Sequence, residues 1–459
     1  MKQVRTLPFS RIPDDKKFLN QTKQYNAALS LFIGATGGEL YYEDSIYFRK
    51  DIQNIWVSEG GNDSWTGSFR QPKATITGAN YIANENDIIN VMPGSYYAEG
   101  VVLKNNVNWM LYPNTEIYNT GGADFMFKID EPGYKGGIYG NGSIYCTGGI
   151  GILKQTGYNS NFELECHIVS GNNLNTALGA SEMFYLDYSG HLKVTCDEIS
   201  MFRDSPSSLL ETFYVSSEGG YLDVFCDKLY SNCEVLNGSP NITGGFYANF
   251  SCNNILHGNF SSAFVFNLRN MEVNIQSFNI ISDGCSFVFN VSNSGSLYVD
   301  ANNLLCPLED GAFFAGDFSD LFIDVDNLKG GGIINNFFDD VENPRVYLSA
   351  GIWESSGNFT LSVAKQNRFY LKDSLIRNYK DGGTGIKLDN FSISPFTGFY
   401  FISNSAISVY GNNSYPIGTG YDLDPSALLV LDLNSCVFSK ELPSDLTYSG
   451  FYRTNQWTR

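Results

Sequence analysis

The chain has few charged residues for its length, and most of them are acidic. Only 17% of its 459 residues are charged, and 48 Asp and Glu outnumber 29 Lys and Arg, which gives a net charge of −19. An acidic surface repels phosphate backbones, so nucleic acid is excluded as an expected partner. The same charge disfavours anionic membranes. We interpret the acidic excess mainly as a source of solubility.

Long apolar runs are missing as well. The first ten residues, Met1 to Ser10, contain no stretch of about 7–15 apolar residues, which predicts that no secretory signal peptide is present. Nothing later approaches the roughly 18 consecutive apolar residues of a membrane-spanning helix, so no membrane insertion is expected. The sequence therefore predicts a protein made in a cytoplasm.

Motifs for metals and cofactors are also absent from the sequence. It has three histidines, and its nine cysteines include no Cys-x-x-Cys pair, although structural zinc sites need closely spaced ligands. No nucleophile motif, phosphate-binding loop or dinucleotide fingerprint occurs. We predict reduced thiols and expect neither a metal nor a cofactor.

What the chain does contain favours strands. It has 34 Phe and 29 Tyr, and a hydrophobic share of 43%. Aromatic residues are enriched in strands, and this hydrophobic share is that of a folded protein. The composition therefore predicts an all-β fold.

The strongest pattern is a repeat of segments that read apolar-x-apolar-x-small, with another apolar residue three positions further on. Successive small positions lie 23 to 30 residues apart. The segments are Phe162–Cys166, Leu192–Cys196, Leu222–Cys226, Ala248–Cys252, Val273–Ser277, Leu297–Ala301, Leu321–Val325, Val346–Ala350 and Phe369–Asp373. Period-two alternation indicates strands with one buried face, the step is too short for a propeller blade, and the leucine-rich-repeat signature is missing. The repeat predicts a right-handed parallel β-helix, a solenoid whose coils pair with one another.

Two columns of equivalent positions follow from this register. The small interior position is occupied by Cys166, Cys196, Cys226 and Cys252. A metal or disulfide stack is the alternative to simple packing, and we favour packing because Cys is a good small buried residue. The position before the next aliphatic residue is occupied by Asn254, Asn279, Asn303 and Asn327. We predict a turn ladder there, with left-handed backbone at a bend and amides bonded along the stack.

Two outward columns carry the candidate functional residues. One is aromatic: Tyr298, Phe322, Tyr347 and Tyr370. Such a stripe predicts a subunit interface, and stacking on sugar rings is the alternative. The other is acidic: Asp300 and Asp324 lie one period apart, Asp326 follows, and Asp339, Asp340 and Glu342 lie further along. Two carboxylates are what glycan-cleaving enzymes use, although Asp is also common on the polar face of an acidic protein.

The opening of the repeat region carries a resemblance to a known family. A Gly60-Gly61-Asn62-Asp63 loop precedes a short helix predicted within residues 72–83, then the strand 87–91 and the turn Pro93-Gly94-Ser95-Tyr96. This order resembles the start of pectate-lyase-like β-helices, which include enzymes and non-enzymes. The whole pattern resembles bacteriophage tail spikes and tail fibres.

That resemblance implies a structural virion protein. It implies a homotrimer that binds other tail proteins through its N-terminal segment and contacts a host-surface polysaccharide. We therefore divide the chain into a basic, partly helical attachment segment (residues 1–50), a β-helix (51–390) and a C-terminal cap, trimerisation or receptor-facing region (391–459). The alternative function is a spike-borne polysaccharide depolymerase, a hydrolase or lyase. A cellular adhesin is the third hypothesis, disfavoured by the predicted lack of a signal peptide.

Overall fold

The structure is a computed structural model of the full chain. It describes residues 40–43, 46–49 and 53–454, and within the last range it leaves out the following positions: 173, 175–181, 188–189, 203–210, 217–218, 240–241, 243–244, 259–263, 284–286, 293–294, 307–310, 317–319, 336–344, 365–367, 390–396, 411–413, 420–427 and 443–448.

Nearly all regular structure in the described residues is β-strand. The N-terminal strands are β1 (Leu40–Glu43), β2 (Ile46–Arg49), β3 (Asn54–Val57), β4 (Ile88–Val91), β5 (Gly94–Tyr97), β6 (Val101–Val102), β7 (Asn108–Leu111), β8 (Thr115–Thr120), β9 (Phe127–Ile129), β10 (Lys135–Gly140), β11 (Ser143–Thr147), β12 (Leu153–Gln155) and β13 (Asn161–Asn172). The middle strands are β14 (Glu182–Leu186), β15 (His191–Phe202), β16 (Glu211–Val215), β17 (Tyr221–Ser231), β18 (Glu234–Gly238), β19 (Phe246–His257), β20 (Phe264–Arg269), β21 (Met271–Ser282), β22 (Phe287–Ser292), β23 (Ser296–Leu305), β24 (Phe313–Ala315) and β25 (Asp320–Lys329). The C-terminal strands are β26 (Gly332–Asn335), β27 (Arg345–Ser355), β28 (Phe359–Ala364), β29 (Arg368–Lys372), β30 (Leu375–Asn378), β31 (Thr384–Asp389), β32 (Thr397–Ser403), β33 (Ala406–Val409), β34 (Tyr415–Thr419), β35 (Leu428–Phe438) and β36 (Ser449–Thr454).

The chain divides into two compact units. The first comprises Met1–Ala180 and Gly190–Glu198, and the second comprises Ser181–Ser189 and Ile199–Arg459. In the first unit three series of strands pair in parallel: β3, β4, β7, β10 and β13; β5, β8, β11 and β13; and β6, β9 and β12. A short helix, α1 (Ile76–Ile82), buries Ile76 and Ala79, and β1 and β2 form an antiparallel hairpin.

In the second unit the coils from β17 to β27 each contribute one long strand and one short strand, whereas β27 pairs with two shorter strands, β29 and β30. The long strands β17, β19, β21, β23, β25 and β27 pair in parallel in that order. The short strands β14, β16, β18, β20, β22, β24, β26, β28, β31 and β34 form a second parallel series. Parallel pairing of consecutive coils is the defining feature of a β-solenoid.

The core of the second unit contains a column of phenylalanines with one leucine on the short strands, which we call the interior phenylalanine column. It consists of Phe184, Phe213, Leu236, Phe266, Phe289 and Phe313, which are paired in register and fully buried. Trp353 packs against Phe313 at a ring-centroid distance of 5.8 Å. Its indole Nε1 donates a hydrogen bond to the Gly330 carbonyl oxygen at 2.8 Å, so the one polar atom of this large buried side chain is satisfied.

The predicted fold class is confirmed, since the chain is an all-β parallel solenoid of about nine turns. The predicted steps from Cys226 to Cys252, Ser277, Ala301, Val325 and Ala350 are all paired in register. The helix predicted within residues 72–83 is present as α1, and its Tyr81 side chain is 82% exposed. No helix among the described residues has the length and apolarity needed to cross a membrane.

The structure describes the two predicted end segments to different extents. In the predicted attachment segment (residues 1–50) the structure describes only β1 and β2, so the predicted helical part lies outside the described residues. Beyond residue 390 the parallel pairing continues, because Leu371 pairs with Ile402 and Ile402 pairs with Leu433. Each of these steps spans 31 residues (402 − 371 and 433 − 402), which is longer than the preceding steps, so the repeat is harder to recognise in the sequence.

Candidate functional site

The predicted acidic positions lie together on the outer face of β23 and β25. Asp300 and Asp324 are direct partners in the parallel register, and both are exposed. Paired positions in adjacent parallel strands lie about 4.8 Å apart, which approaches the roughly 5 Å carboxyl separation of retaining glycosidases. Asp326 accepts a hydrogen bond from Asn302 Nδ2 at 2.7 Å. The further acidic residues 339, 340 and 342 lie outside the described part of the chain.

The predicted aromatic residues form one continuous stack. Ring centroids are 5.0 Å apart for Tyr298 and Phe322, 6.1 Å for Phe322 and Tyr347, and 6.2 Å for Tyr347 and Tyr370. Phe401 continues the stack at 5.0 Å from Tyr370, a member that the sequence reasoning missed because its step is 31 residues. All five side chains are half-buried. We call them the aromatic column.

One charged pair borders the aromatic column. Arg345 makes two hydrogen bonds to Asp320, from Nε at 2.9 Å and from Nη2 at 2.8 Å. Its guanidinium carbon lies 5.9 Å from the ring centroid of Phe322. Arginine therefore covers part of one ring and forms an ion pair with the acidic group beside it.

The predicted interior cysteines are buried, and none of the four forms a disulfide. In the second unit the Sγ atoms of Cys226 and Cys252 lie 3.1 Å apart, and this contact and burial raise the pKa of the Cys226 thiol. In the first unit burial and the neighbouring Cys196 raise the pKa of Cys166. A raised pKa keeps a thiol protonated and unreactive. No three His, Cys, Asp or Glu side chains of the described residues are arranged to hold a metal ion.

The predicted asparagine positions form a hydrogen-bonded ladder. Each amide donates to the Oδ1 atom of the preceding member: Asn279 to Asn254 at 2.8 Å, Asn303 to Asn279 at 2.8 Å, and Asn327 to Asn303 at 3.0 Å. The ladder differs from the expectation in its backbone. All four residues lie inside long strands, and none has a positive φ. Amide stacking between coils explains these residues without a left-handed turn.

The sequence reasoning missed a column of buried glutamates in the second unit. Glu182 pairs with Glu211, and Glu211 pairs with Glu234, at the start of three successive short strands. Their exposed fractions are 9%, 4% and 3%. Buried carboxylates are rare unless they are paired with a cation or held by hydrogen bonds. The sequence contains a pattern that could have aligned two of these glutamates, because Glu182 and Glu211 both begin the pattern Glu-x-Phe-Tyr.

A relay of amides ends on the middle glutamate. Asn290 donates to Asn267 at 2.8 Å, Asn267 donates to Asn237 at 3.1 Å, and Asn237 Nδ2 donates to Glu211 Oε1 at 3.0 Å. Every amide in this relay points its N–H end towards Glu211. Burying a carboxylate costs less free energy when it accepts hydrogen bonds, so the relay explains how Glu211 can lie in the interior.

The next glutamate along the column, Glu234, has a perturbed pKa. Burial and the neighbouring Glu211 raise the pKa of Glu234 to about 8, against a smaller opposing effect of Arg269. Its Oε2 atom is buried and has no hydrogen-bond partner among the residues that the structure describes. Two buried neighbouring carboxylates, one of them with a raised pKa, resemble an acid–base pair. However, a catalytic group must contact its substrate, and side chains this buried are closed to a polymer, so we assign the pair to proton-linked stability.

Comparison with known proteins gives little further information. No protein-family model matches the chain, and no curated protein sequence matches it. Among solved structures the chain is similar to the family 28 exopolygalacturonase of Yersinia enterocolitica, with 9% sequence identity, 89% of this chain and 79% of that chain covered, and a TM-score of 0.30. A similarity at this TM-score bears on neither the function nor the site residues.

Proposed function

We propose that the chain is a structural protein of a bacteriophage tail, a homotrimeric tail spike or tail fibre that contributes to host-surface glycan recognition and adsorption. In this proposal it resides in the virion, the segment 1–50 binds other tail proteins, and the solenoid is the stalk. The observation that carries the proposal is the aromatic column, which presents five half-buried rings along one face of the second unit.

The expected occupant of this face is a second copy of the chain. A contiguous apolar stripe on a soluble protein usually marks an interface, and the excess of aromatic residues matches the composition of interface centres. Interface centres are also depleted in unpaired charge, and Arg345 and Asp320 neutralise each other beside the rings. A rotationally symmetric trimer would bury the same stripe in every subunit.

Tyr347→Asp tests the interface. The side chain is half-buried on the outer face, so the solenoid should fold, while three carboxylates brought into one interface would repel each other. We expect the wild-type mass measured by light scattering to be three times the chain mass of 50.9 kDa, and the variant to be monomeric. Tyr415→Asp, at a 48% exposed tyrosine outside the column, is the control. A monomeric wild type would contradict the proposed trimer.

The second candidate function is a polysaccharide depolymerase, and one observation favours it. The pairing of Asp300 with Asp324 in adjacent coils places two exposed carboxylates side by side on an open face that a polymer can reach. One carboxylate would protonate the leaving oxygen and the other would act as nucleophile or base, as in glycoside hydrolysis. Asp326 would orient the substrate.

Asp324→Asn tests this second function. If purified wild-type protein releases reducing ends from host capsule or lipopolysaccharide, the variant should lose the activity by at least about 100-fold, since the carboxylate acts in the transition state. Asp227→Asn is the control, because Asp227 is also an exposed aspartate on a long strand, β17, but lies outside the Asp300–Asp324 pair. No release of reducing ends by the wild type would eliminate the depolymerase.

A further inference from the structure

We propose that a polar cleft in the first unit, lined by Glu59, Thr75, Thr77, Ser95 and Tyr97, binds a neutral or amino sugar of a surface glycan. The inference rests on the proposed glycan-binding function and deepens it by naming a site and a chemical class of ligand. The cleft has a volume of about 360 Å³, and Ala74 and Tyr96 complete its lining.

Three separate segments build the cleft. Glu59 follows β3, Thr75 and Thr77 lie at the start of α1, and Ser95 and Tyr97 lie on β5. The five named side chains are all exposed, so a ligand can reach them without any rearrangement of the fold.

The position of Glu59 is fixed by the backbone of β5. Its Oε1 atom accepts a hydrogen bond from the Ser95 N–H at 2.6 Å. Gly94 has a φ of +147°, and a Cβ atom there would lie 2.6 Å from Cγ of Glu59. A glycine is therefore needed for the carboxylate to occupy this place.

Two polar groups of the cleft are left for a ligand. No described residue hydrogen-bonds the second carboxylate oxygen of Glu59 or the Thr77 hydroxyl. An ionised carboxylate only accepts hydrogen bonds, whereas a threonine hydroxyl both donates and accepts. Together these groups match the hydroxyls of a sugar, or the ammonium group of an amino sugar.

An aromatic wall adds the apolar contact. The Tyr97 side chain is 49% exposed, and its hydroxyl donates to Glu99 Oε2 at 2.7 Å, which holds the ring in place. Tyr118 is its register neighbour and donates in the same way to Glu116 Oε2 at 2.7 Å. A held ring presents an apolar surface with little loss of side-chain entropy on binding.

The charge around the cleft selects among sugars. Glu59, Glu99 and Glu116 are all carboxylates, and Ser95 Oγ donates to Glu116 Oε2 at 3.4 Å, which places that acid beside the lining. Like charges brought together in a binding site are penalised. Uronic acids and other anionic sugars should therefore be rejected.

Saturation-transfer NMR on the full chain tests the proposal with the methyl glycosides of glucose, galactose, N-acetylglucosamine, glucosamine and galacturonic acid. We expect transfer to at least one neutral or amino sugar and none to galacturonic acid. Glu59→Gln and Tyr97→Ala should each weaken binding about tenfold or more. Tyr158→Ala, at a 57% exposed tyrosine outside the cleft, should bind as the wild type does.

Three outcomes would overturn the proposal: no binding of any neutral or amino sugar, binding of galacturonic acid alone, or unchanged binding by Tyr97→Ala. Adsorption of the purified chain to host cells is scored separately. If Tyr97→Ala adsorbs as well as the wild type, the cleft is not the glycan site although the proposed function stands. If the wild type binds a neutral sugar but no host cells, sugar binding by the cleft is supported and the proposed function is wrong.

Discussion

Glu234→Gln is expected to stabilise the second unit at pH 8 and to have little effect at pH 5. Glu234 is 3% exposed, and its pKa is raised to about 8 by burial and by Glu211. In the unfolded chain it titrates at the ordinary value of 4.5. Gln is close to an isostere of the protonated acid, so it removes the ionisation without removing the side chain.

The sign follows from proton linkage. Between the unfolded and folded pKa values the folded state binds more protons, so stability falls as the pH rises through this range. The contribution of protonated Glu234 to folding stability is fully present below pH 4.5 and is lost as the pH rises through 8. Integrated from pH 5 to pH 8, the loss is on the order of 3 kcal/mol.

Urea unfolding midpoints at pH 5, 6.5 and 8 provide the measurement. The wild-type midpoint should fall with pH more steeply than the Glu234→Gln midpoint. Glu272→Gln, which removes an exposed glutamate of β21, reports the general effect of one negative charge in this acidic chain and should leave the wild-type slope unchanged. If the urea midpoints of the wild type and Glu234→Gln fell equally with pH, the assignment of a raised pKa to Glu234 would be wrong.

A buried histidine adds the opposite dependence at lower pH. Burial lowers the pKa of His257 to about 4 from 6.5, while Asp283 acts to raise it. Its contribution to stability is present above pH 6.5 and is lost as the pH falls towards 4. Between about pH 4.5 and 6.5, rising pH reduces the contribution of Glu234 to stability and increases that of His257. We therefore expect the second unit to be most stable in this pH range. Above pH 6.5, the decrease in stability with rising pH should come mainly from Glu234.

The register could be predicted from the sequence wherever successive coils have nearly equal length. The steps from Cys226 to Ala350 span 24 to 26 residues, so equivalent positions align by counting alone. The same counting placed Asp300 beside Asp324. It failed after Leu371, where the steps lengthen to 31 residues and Phe401 was not recognised as a member of the aromatic column.

The buried glutamates and the cleft could not be predicted by counting. A glutamate at the start of a strand is normally read as a surface residue, since carboxylates are seldom buried. Whether such a position faces the interior depends on how the whole coil closes. The cleft joins Glu59, Thr75 and Ser95 from three segments whose proximity follows from tertiary structure, not from a repeated spacing.

Phe266→Ala is expected to destabilise the second unit by about 3–5 kcal/mol. Phe266 is fully buried, and its ring centroid lies 5.4 Å from that of Phe250 and 5.3 Å from that of Phe289. Truncation removes both contacts and leaves a cavity that neighbouring coils cannot fill without moving their paired strands. The measurement is the urea midpoint at pH 6.5.

The loss should also be local, because each coil of a solenoid contacts only its neighbours. Backbone amides of β18, β20 and β22 should therefore exchange hydrogen faster in Phe266→Ala, while those of β31 and β34 should change less. Phe278→Ala is the control, since Phe278 is 56% exposed on β21 and surface substitutions usually change stability by about 0.5 kcal/mol or less. If the two variants unfolded at the same urea concentration, the interior phenylalanine column would not be the main source of stability in this unit.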